Sequence, residues 1–508
     1  MTGLKLSRGF AFAFGGVAAV LALAMALAIL LFDADAVKAE AARFMLAQKQ
    51  RTLRIDGELS LSFWPGLSLT LSNASLSEKN SEQVFAAVGH GRLSLKLLPL
   101  LHKELVVDTV ELAGLSASLI RKKDGSFNFD DLLSQDTDKP PLRFDVAGVR
   151  LKAGRLSWVD ELQGRHFDLA DLVLSSGRLA NVAEGKLSLA GRWTLDKPAL
   201  AGQLQLVGHY RYDLDKKTYA LDGLGLRSVG DLVGLTLAET ALDVDVLSLA
   251  PAGLEASKLG LALKGKSGEQ DVSLKLAVPH LRLGNDRGTA ETATVTAGVS
   301  GKERQAHSTL TLTSLEKDGR VIKVLKLALT ADLRQGADVY RGSLASPLSA
   351  DLGTQNLALP ELAGEAEIGN GTLAVKNILL PLKGSLQADF AKVSLSTVLD
   401  TRLDGGKVAA RLNLAGFTSP AIGFALDIER LDLDKYLPPK KTPGRESPVT
   451  PLDFTSLNGL DLTGALKIGF LQMAGVKTSN LRLDVKTKDG KLEAVSAVPA
   501  APAPLARR

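Results

Sequence analysis

Residues 260–267 read GLALKGKS, a full match to the phosphate-loop spacing G-x-x-x-x-G-K-[ST] through Gly260, Gly265, Lys266 and Ser267. In a nucleotide hydrolase such a loop follows a strand and opens a helix. The free amides and the dipole of the helix N-terminus then hold the phosphate. Here Leu259, Leu261 and Leu263 alternate with Gly260 and Ala262. Beyond the lysine, Val272, Leu274, Leu276 and Val278 alternate with Ser273, Lys275 and Ala277. Strands flank the lysine on both sides, and residues 264–270 read as the connection between them. The pattern predicts a β-hairpin, and nucleotide chemistry is not expected.

Other residue types that could do chemistry are scattered. No two of the histidines, His90, His102, His166, His209, His280 and His307, lie closer than 12 residues, so no local metal-ligand pair forms. The Asp-x-Asp spacings at Asp213/Asp215, Asp243/Asp245 and Asp432/Asp434 lack the glycine and distal glutamate of a calcium loop. The polar face of a strand produces the same spacing. There is no G-x-S-x-G nucleophile elbow. Without cysteine, disulfides, thiolate zinc sites and a cysteine nucleophile are excluded. The sequence therefore proposes no catalytic residue, no metal and no cofactor, and an enzyme is not expected.

The elements that must carry any function are legible. Hydrophobic residues make up 45% of the 508 but aromatics only 5%, so the apolar content is aliphatic. The 61 basic and 56 acidic residues are interspersed, with no basic stripe for nucleic acid. Residues 9–32 (GFAFAFGGVAAVLALAMALAILLF) carry no charge. As a helix they span roughly 36 Å, enough for a hydrocarbon core of about 30 Å. Lys5 and Arg8 precede the segment and Asp33 and Asp35 follow it, which places residues 1–8 in the cytoplasm and the bulk of the chain outside. Ala22-Leu23-Ala24 resembles a signal cleavage site, but the apolar run is about twice that of a signal peptide. An uncleaved single-pass anchor is expected. Residues 34–53, free of Gly and Pro, predict a helix.

From Ile55 onward the dominant period is two. Leu59, Leu61 and Phe63 alternate with polar residues, as do Leu67, Leu69 and Leu71, then Leu93, Leu95 and Leu97. Leu310 and Leu312 follow among threonines, then Leu325, Leu327 and Leu329. Such alternation gives strands with one apolar and one polar face, joined by short Gly/Asn/Asp/Lys turns into a long antiparallel meander. Pro-rich breaks fall at residues 136–141 and 438–451. By itself the alternation fits a closed β-sandwich core as well as an open groove.

Four stretches together resemble the AsmA family of inner-membrane-anchored envelope proteins. Residues 32–78 resemble the family's opening helix, Gly-centred turn and aromatic-Pro corner, here Phe63-Trp64-Pro65. LIRKKDGSFNFDDLL (119–133) is similar to the element DG-x-x-N-[WF]-x-D-L through Asp124, Gly125, Asn128, Phe129, Asp131 and Leu132. Residues 149–179 look like the strand pair G-R-x-x-[WY]-x-D. FALDIERLDLDKYLPP (424–439) resembles the signature D-R-L-[ND]-L-D-x-Y-L-P-P, with Glu429 before Arg430.

The resemblance implies a mainly β protein: a transmembrane helix and a short helix, then a long, curved antiparallel sheet forming an elongated groove. It implies phospholipid traffic between inner and outer membrane and support of outer-membrane integrity. The partners would be phospholipids, the inner membrane, and outer-membrane or envelope proteins. The alternative is a periplasmic scaffold for outer-membrane protein assembly that carries no lipid. The candidate groove lining is Leu259, Leu261, Leu263, Val272, Leu274, Leu276, Val278, Leu310, Leu312, Leu325, Leu327 and Leu329. The expected organisation is a cytoplasmic tail (1–8), membrane helix (9–32) and N-terminal helix-plus-β region (33–135). An extended β-groove (142–437), a Pro-rich linker (438–451) and a partial C-terminal β region (452–492) follow. Residues 493–508, EAVSAVPAAPAPLARR, lack alternation and read as a disordered tail. Beside the family pattern the chain looks cut short there.

Overall fold

In a computed structural model, residues 32–63, 66–96, 107–133, 145–232, 234–370, 377–416, 421–436, 461–473, 475–488 and 491–497 are described. The expected membrane segment, except Phe32, lies outside them, as do Trp64-Pro65, both Pro-rich breaks and residues 498–508. No helix among the described residues is long and apolar enough to cross a membrane. Helix α1 (Ala34–Lys49) is shorter than the sequence suggests. Its N-cap Asp33 accepts a hydrogen bond from the Ala36 amide at 2.9 Å. It stops at Gln50, whose backbone turns left-handed at φ 57° and closes the last turn on the Leu46 carbonyl.

The chain divides into two units, Met1–Pro251 and Ala252–Arg508. In the first, β1 (Leu53–Ile55) and β2 (Leu59–Ser62) pair with β3 (Ser68–Ser77), which pairs with β4 (Val84–Leu95). Strands β5 (Val107–Ala113) and β6 (Ser116–Arg121) lie between β4 and β7 (Asp145–Asp160). A single-turn helix α2 (Asp130–Leu133) precedes β7. Next come β8 (Arg165–Ser176), the short β9 (Leu179–Ala180), β10 (Val182–Leu195), β11 (Leu200–Asp213), β12 (Thr218–Leu232) and β13 (Leu235–Ala250). From β7 the antiparallel order is β7-β8-β10-β11-β12-β13.

In the second unit, β14 (Gly253–Ser267), β15 (Gln270–Gly284), β16 (Arg287–Ser300), β17 (Arg304–Asp318), β18 (Val321–Gln335) and β19 (Asp338–Asp351) form an antiparallel meander. It continues through β20 (Asn356–Gly369), β21 (Asn377–Asp389), β22 (Ser394–Leu403), β23 (Gly406–Ala415) and β24 (Ala421–Asp432). Strands β25 (Asp461–Met473), β26 (Val476–Lys488) and β27 (Lys491–Ala497) complete it.

Three expectations need correction. The sheets are mixed: β5 and β6 run parallel to β7, and β24 runs parallel to β25. Parallel neighbours need a long crossover, which a hairpin cannot supply. The two Pro-rich breaks fall in the sequence between these parallel strands. Secondly, the expected disordered tail begins as strand, since β27 reaches Ala497 paired to Arg482 of β26. A strand laid on an existing edge takes its hydrogen bonds from the ladder and needs no alternation of its own. Thirdly, residues 264–267 belong to β14, and the connection to β15 is only Gly268-Glu269, with Gly268 at φ 60°.

Many strands are also longer than the alternation suggests, because they run through a bend. In the second unit the ladder is interrupted along one line. Lys258 (φ 47°) faces the Pro279 break, Glu291 faces Ser314 (φ 53°), and Ser314 faces Leu325. Bulges around Pro347 and Pro360 continue the line. In the first unit Asn73 (φ 49°), Gly114 (φ 67°), Ala153 (φ 51°), Asp171 (φ 51°) and Gly223 (φ 59°) play the same part. Bulges bend the strand that carries them, and a line of bends creases the sheet. Asn73, Ala153, Asp171, Lys258, Ser314 and Leu325 are all exposed, on the outside of the crease. Leu172, Leu224, Val278 and Leu362, beside it on the opposite face, are buried. Each sheet is therefore concave toward that second face.

Candidate functional site

The ladder register assembles the alternating leucines into rows. In the first unit one row runs Leu59, Leu71, Gly91, Leu112, Leu151, Leu174, Leu189, Leu206, Leu226 and Leu242, each the direct partner of the next. In the second unit a row runs Leu261, Leu276, Val295, Leu310, Leu329, Leu344, Gly364 and Leu382. Directly paired residues project from the same face about 5 Å apart, so each row is an aliphatic track, broken by Gly91 in the first and Gly364 in the second. The rows lie on the concave face, two residues from the crease residues Leu172, Leu224 and Val278.

Of the candidate lining, Leu261, Leu276, Leu310 and Leu329 fall in this one row. Leu259 pairs with Val278, Leu263 with Leu274, and Leu312 with Leu327, in rows on either side; Val272 faces Gly265. Val278 is buried, and the other members of this group are half-buried. Leu325 is set apart: it sits at the crease on the convex side and is 71% exposed, while its neighbour Val324 turns inward. Straight alternation cannot anticipate this, because the left-handed residue opposite it, Ser314, carries no glycine signal. The first-unit row was visible only in pieces, since the sequence does not reveal which strand pairs with which across a parallel crossover.

The convex face is polar and largely self-neutralised. On it Arg211 pairs with Asp222, Arg227 with Asp243 and Arg341 with Asp332 and Glu367, while at the start of β7, on the face of Leu151, Arg178 is bidentate to Asp145. Asp145 is held below, and Arg178, Arg211 and Arg341 above, their ordinary pKa by these hydrogen bonds. Exposed pairs of this kind contribute little stability.

One constellation has catalytic residue types. Ser157 Oγ lies 2.7 Å from His166 Nε2, which is 3.3 Å from Asp168 Oδ2. Ser157 and Asp168 are direct ladder partners, which explains the juxtaposition. Both contacts fall on the same ring nitrogen. A nucleophile relay needs the base between hydroxyl and carboxylate through its two nitrogens, so this is a cross-strand polar cluster. Among the described residues no group of three or more His, Cys, Asp or Glu could hold a metal ion.

The motif residues hold the chain where it leaves the sheets. Arg51, just past α1, is fully buried. It is bidentate to Asp131 at 2.8 and 2.7 Å, donates to the carbonyls of Ser77 and Asn128, and lies 4.7 Å over the Phe85 ring. The Asn128 side chain accepts from the Ile120 amide and donates to Glu78 and to the Ser118 carbonyl. The Arg51 hydrogen bonds keep the Asp131 carboxyl below its ordinary range. Lys49 reaches the Asp131 carbonyl at 2.8 Å. The segment between β6 and β7 is thereby clasped to the end of α1. Trp158 packs on Phe127, and Asp160 accepts from the Leu162 and Gln163 amides in the turn to β8.

At the second crossover, a 3-10 turn (Leu433–Lys435) follows β24. Asp434 accepts from Gln472 and from the Gly475 amide. Burial and the hydrogen bond to Asp404 push the Tyr436 hydroxyl up to about 12. The sequence marked these residues by resemblance; their shared position at the parallel crossovers is a structural finding. The family model described as "AsmA family" matches residues 10–497. No curated protein and no solved structure matches the chain.

Proposed function

The chain belongs to the AsmA family, and from that premise we propose that it shields and conducts phospholipid acyl chains between inner and outer membrane along its concave leucine faces. The observation that carries the reading is the state of the leucine rows. Leu206, Leu226, Leu261, Leu276, Leu310 and Leu329 are half-buried. The centre of a closed sandwich would seal such side chains between two layers. A concave single sheet leaves them shielded by curvature yet reachable by a ligand. Aliphatic walls without directional polar groups let a chain slide, and the reading needs no catalytic residue, metal or cofactor. Residues 9–32 would anchor the protein in the inner membrane, with the rest in the periplasm.

The test is photo-crosslinking in cells from a probe at Leu261, with Lys264 on the convex face as control, followed by lipid analysis of the purified adduct. Phospholipid on the Leu261 adduct and none on the Lys264 adduct is expected. A protein client at Leu261 without lipid would replace the conduit by an assembly scaffold.

A further inference from the structure

The convex face of the first unit departs from charge balance at one place. A cleft of about 510 Å³ is lined by Thr70, His90, Arg92, Glu111, Arg150 and Lys152, among others. Register places these side chains in two adjacent rows opposite the leucines. Arg92, Glu111 and Arg150 share one row, and His90, Ala113 and Lys152 the next. The basic residues of β4 and β7 thus flank β5 on both sides, roughly 10 Å apart across two strand spacings. The cations Arg92, Arg150 and Lys152 against the single carboxylate Glu111 give a net charge of +2 without His90. Arg150 is the paired member, 2.9 Å from Glu111. The Nε of Arg92 is buried with no hydrogen-bond partner. A buried guanidinium donor left unpaired is costly, and elsewhere on this face Arg211 and Arg227 each have a carboxylate.

We propose that this cleft is a binding site for a phosphoryl anion, with Arg92 and Lys152 as its principal ligands. A tetrahedral phosphoryl group matches a planar guanidinium fork opposed by an ammonium, and its charge meets the local surplus. Gly91 and Leu112 of the leucine row also line the cleft, but the charged side chains alternate with them along β4 and β5 and project from the opposite face. Occupancy of the site therefore does not depend on lipid conduction along that row.

Inorganic phosphate and a short-chain phosphatidylglycerol share this chemistry, and the experiment separates them. The full chain in a non-ionic detergent is titrated calorimetrically with each, and with a short-chain phosphatidylcholine as a neutral comparison. Saturable binding of phosphate, of phosphatidylglycerol or of both is expected, weakened about tenfold by Arg92→Gln and by Lys152→Gln and unchanged by Arg178→Gln. Phosphatidylglycerol binding alone would assign a lipid headgroup; equal binding would assign the free anion. Lys152 is exposed, so its substitution tests the site even where Arg92→Gln disturbs folding. Absence of binding by all three ligands, or binding insensitive to Lys152→Gln, overturns the proposal.

Discussion

Arg51 shows how much one side chain organises here. Its guanidinium is removed from water, and every contact is long-range, from the Ser77 carbonyl to the Asp131 carboxylate 80 positions away. The sequence therefore offered it only as the end of a helical stretch, although its partners Asn128 and Asp131 stood out in a motif. Breaking a buried pair from one side costs about 3–5 kcal/mol, so Arg51→Met is expected to destabilise the first unit by that order in denaturant unfolding. Arg51→Met combined with Asp131→Leu is expected to recover part of the loss, because no carboxylate then remains unpaired. The same pair makes a pH prediction. Asp131 is held below 3.8 in the folded protein by the Arg51 hydrogen bonds, so its contribution is complete above the unfolded value. It is lost as pH falls below about 3.8 toward the depressed folded value. Unfolding followed between pH 6 and 2 should show less acid sensitivity in Asp131→Asn than in the parent.

Strand character was legible in the alternation, and register then fixed which leucines meet. The bends were legible only in part: Asn73, Gly114, Asp171, Gly223 and the prolines at 279, 347 and 360 carry turn or breaker chemistry, but Ala153 and Lys258 carry none. Ala153 holds φ 51° and Lys258 φ 47° with ordinary side chains, and only the tertiary requirement to crease the sheet puts them there. A left-handed conformation costs a non-glycine residue about 1–2 kcal/mol, partly offset by the extra unfolded-state entropy of glycine. Ala153 is exposed, so Ala153→Gly is expected to raise stability by up to about 1 kcal/mol, read as a shift in denaturation midpoint. The leucine rows allow a second test, which reports directly on openness. Truncating a sealed core leucine costs about 2–5 kcal/mol. Leu310 is half-buried, and Leu310→Ala is expected to cost about 1–2 kcal/mol. A loss near the upper end of the sealed-core range would mean that the face is closed.

For the molecule as a whole, the three readings make different demands on the same substitution. An enzyme concentrates its sensitivity at one constellation, and a scaffold at whichever edge binds the client. A conduit depends on every part of its track, because one charge anywhere on an aliphatic path must be desolvated by each passing chain. The proposed function uses the leucine rows of both units. Leu206→Glu in the first and Leu310→Glu in the second are therefore expected to reduce envelope integrity alike, measured as sensitivity to detergent in cells relying on the variant. Half-burial makes both substitutions tolerable to the fold, and protein levels supply the check. The convex-face substitutions Gln205→Glu and Thr311→Glu, each next to one of these leucines on its strand, are expected to leave integrity unchanged. Loss confined to one of the two leucine positions, with both proteins stable, would localise the function to one unit and remove the reason for reading the two rows as one kind of track.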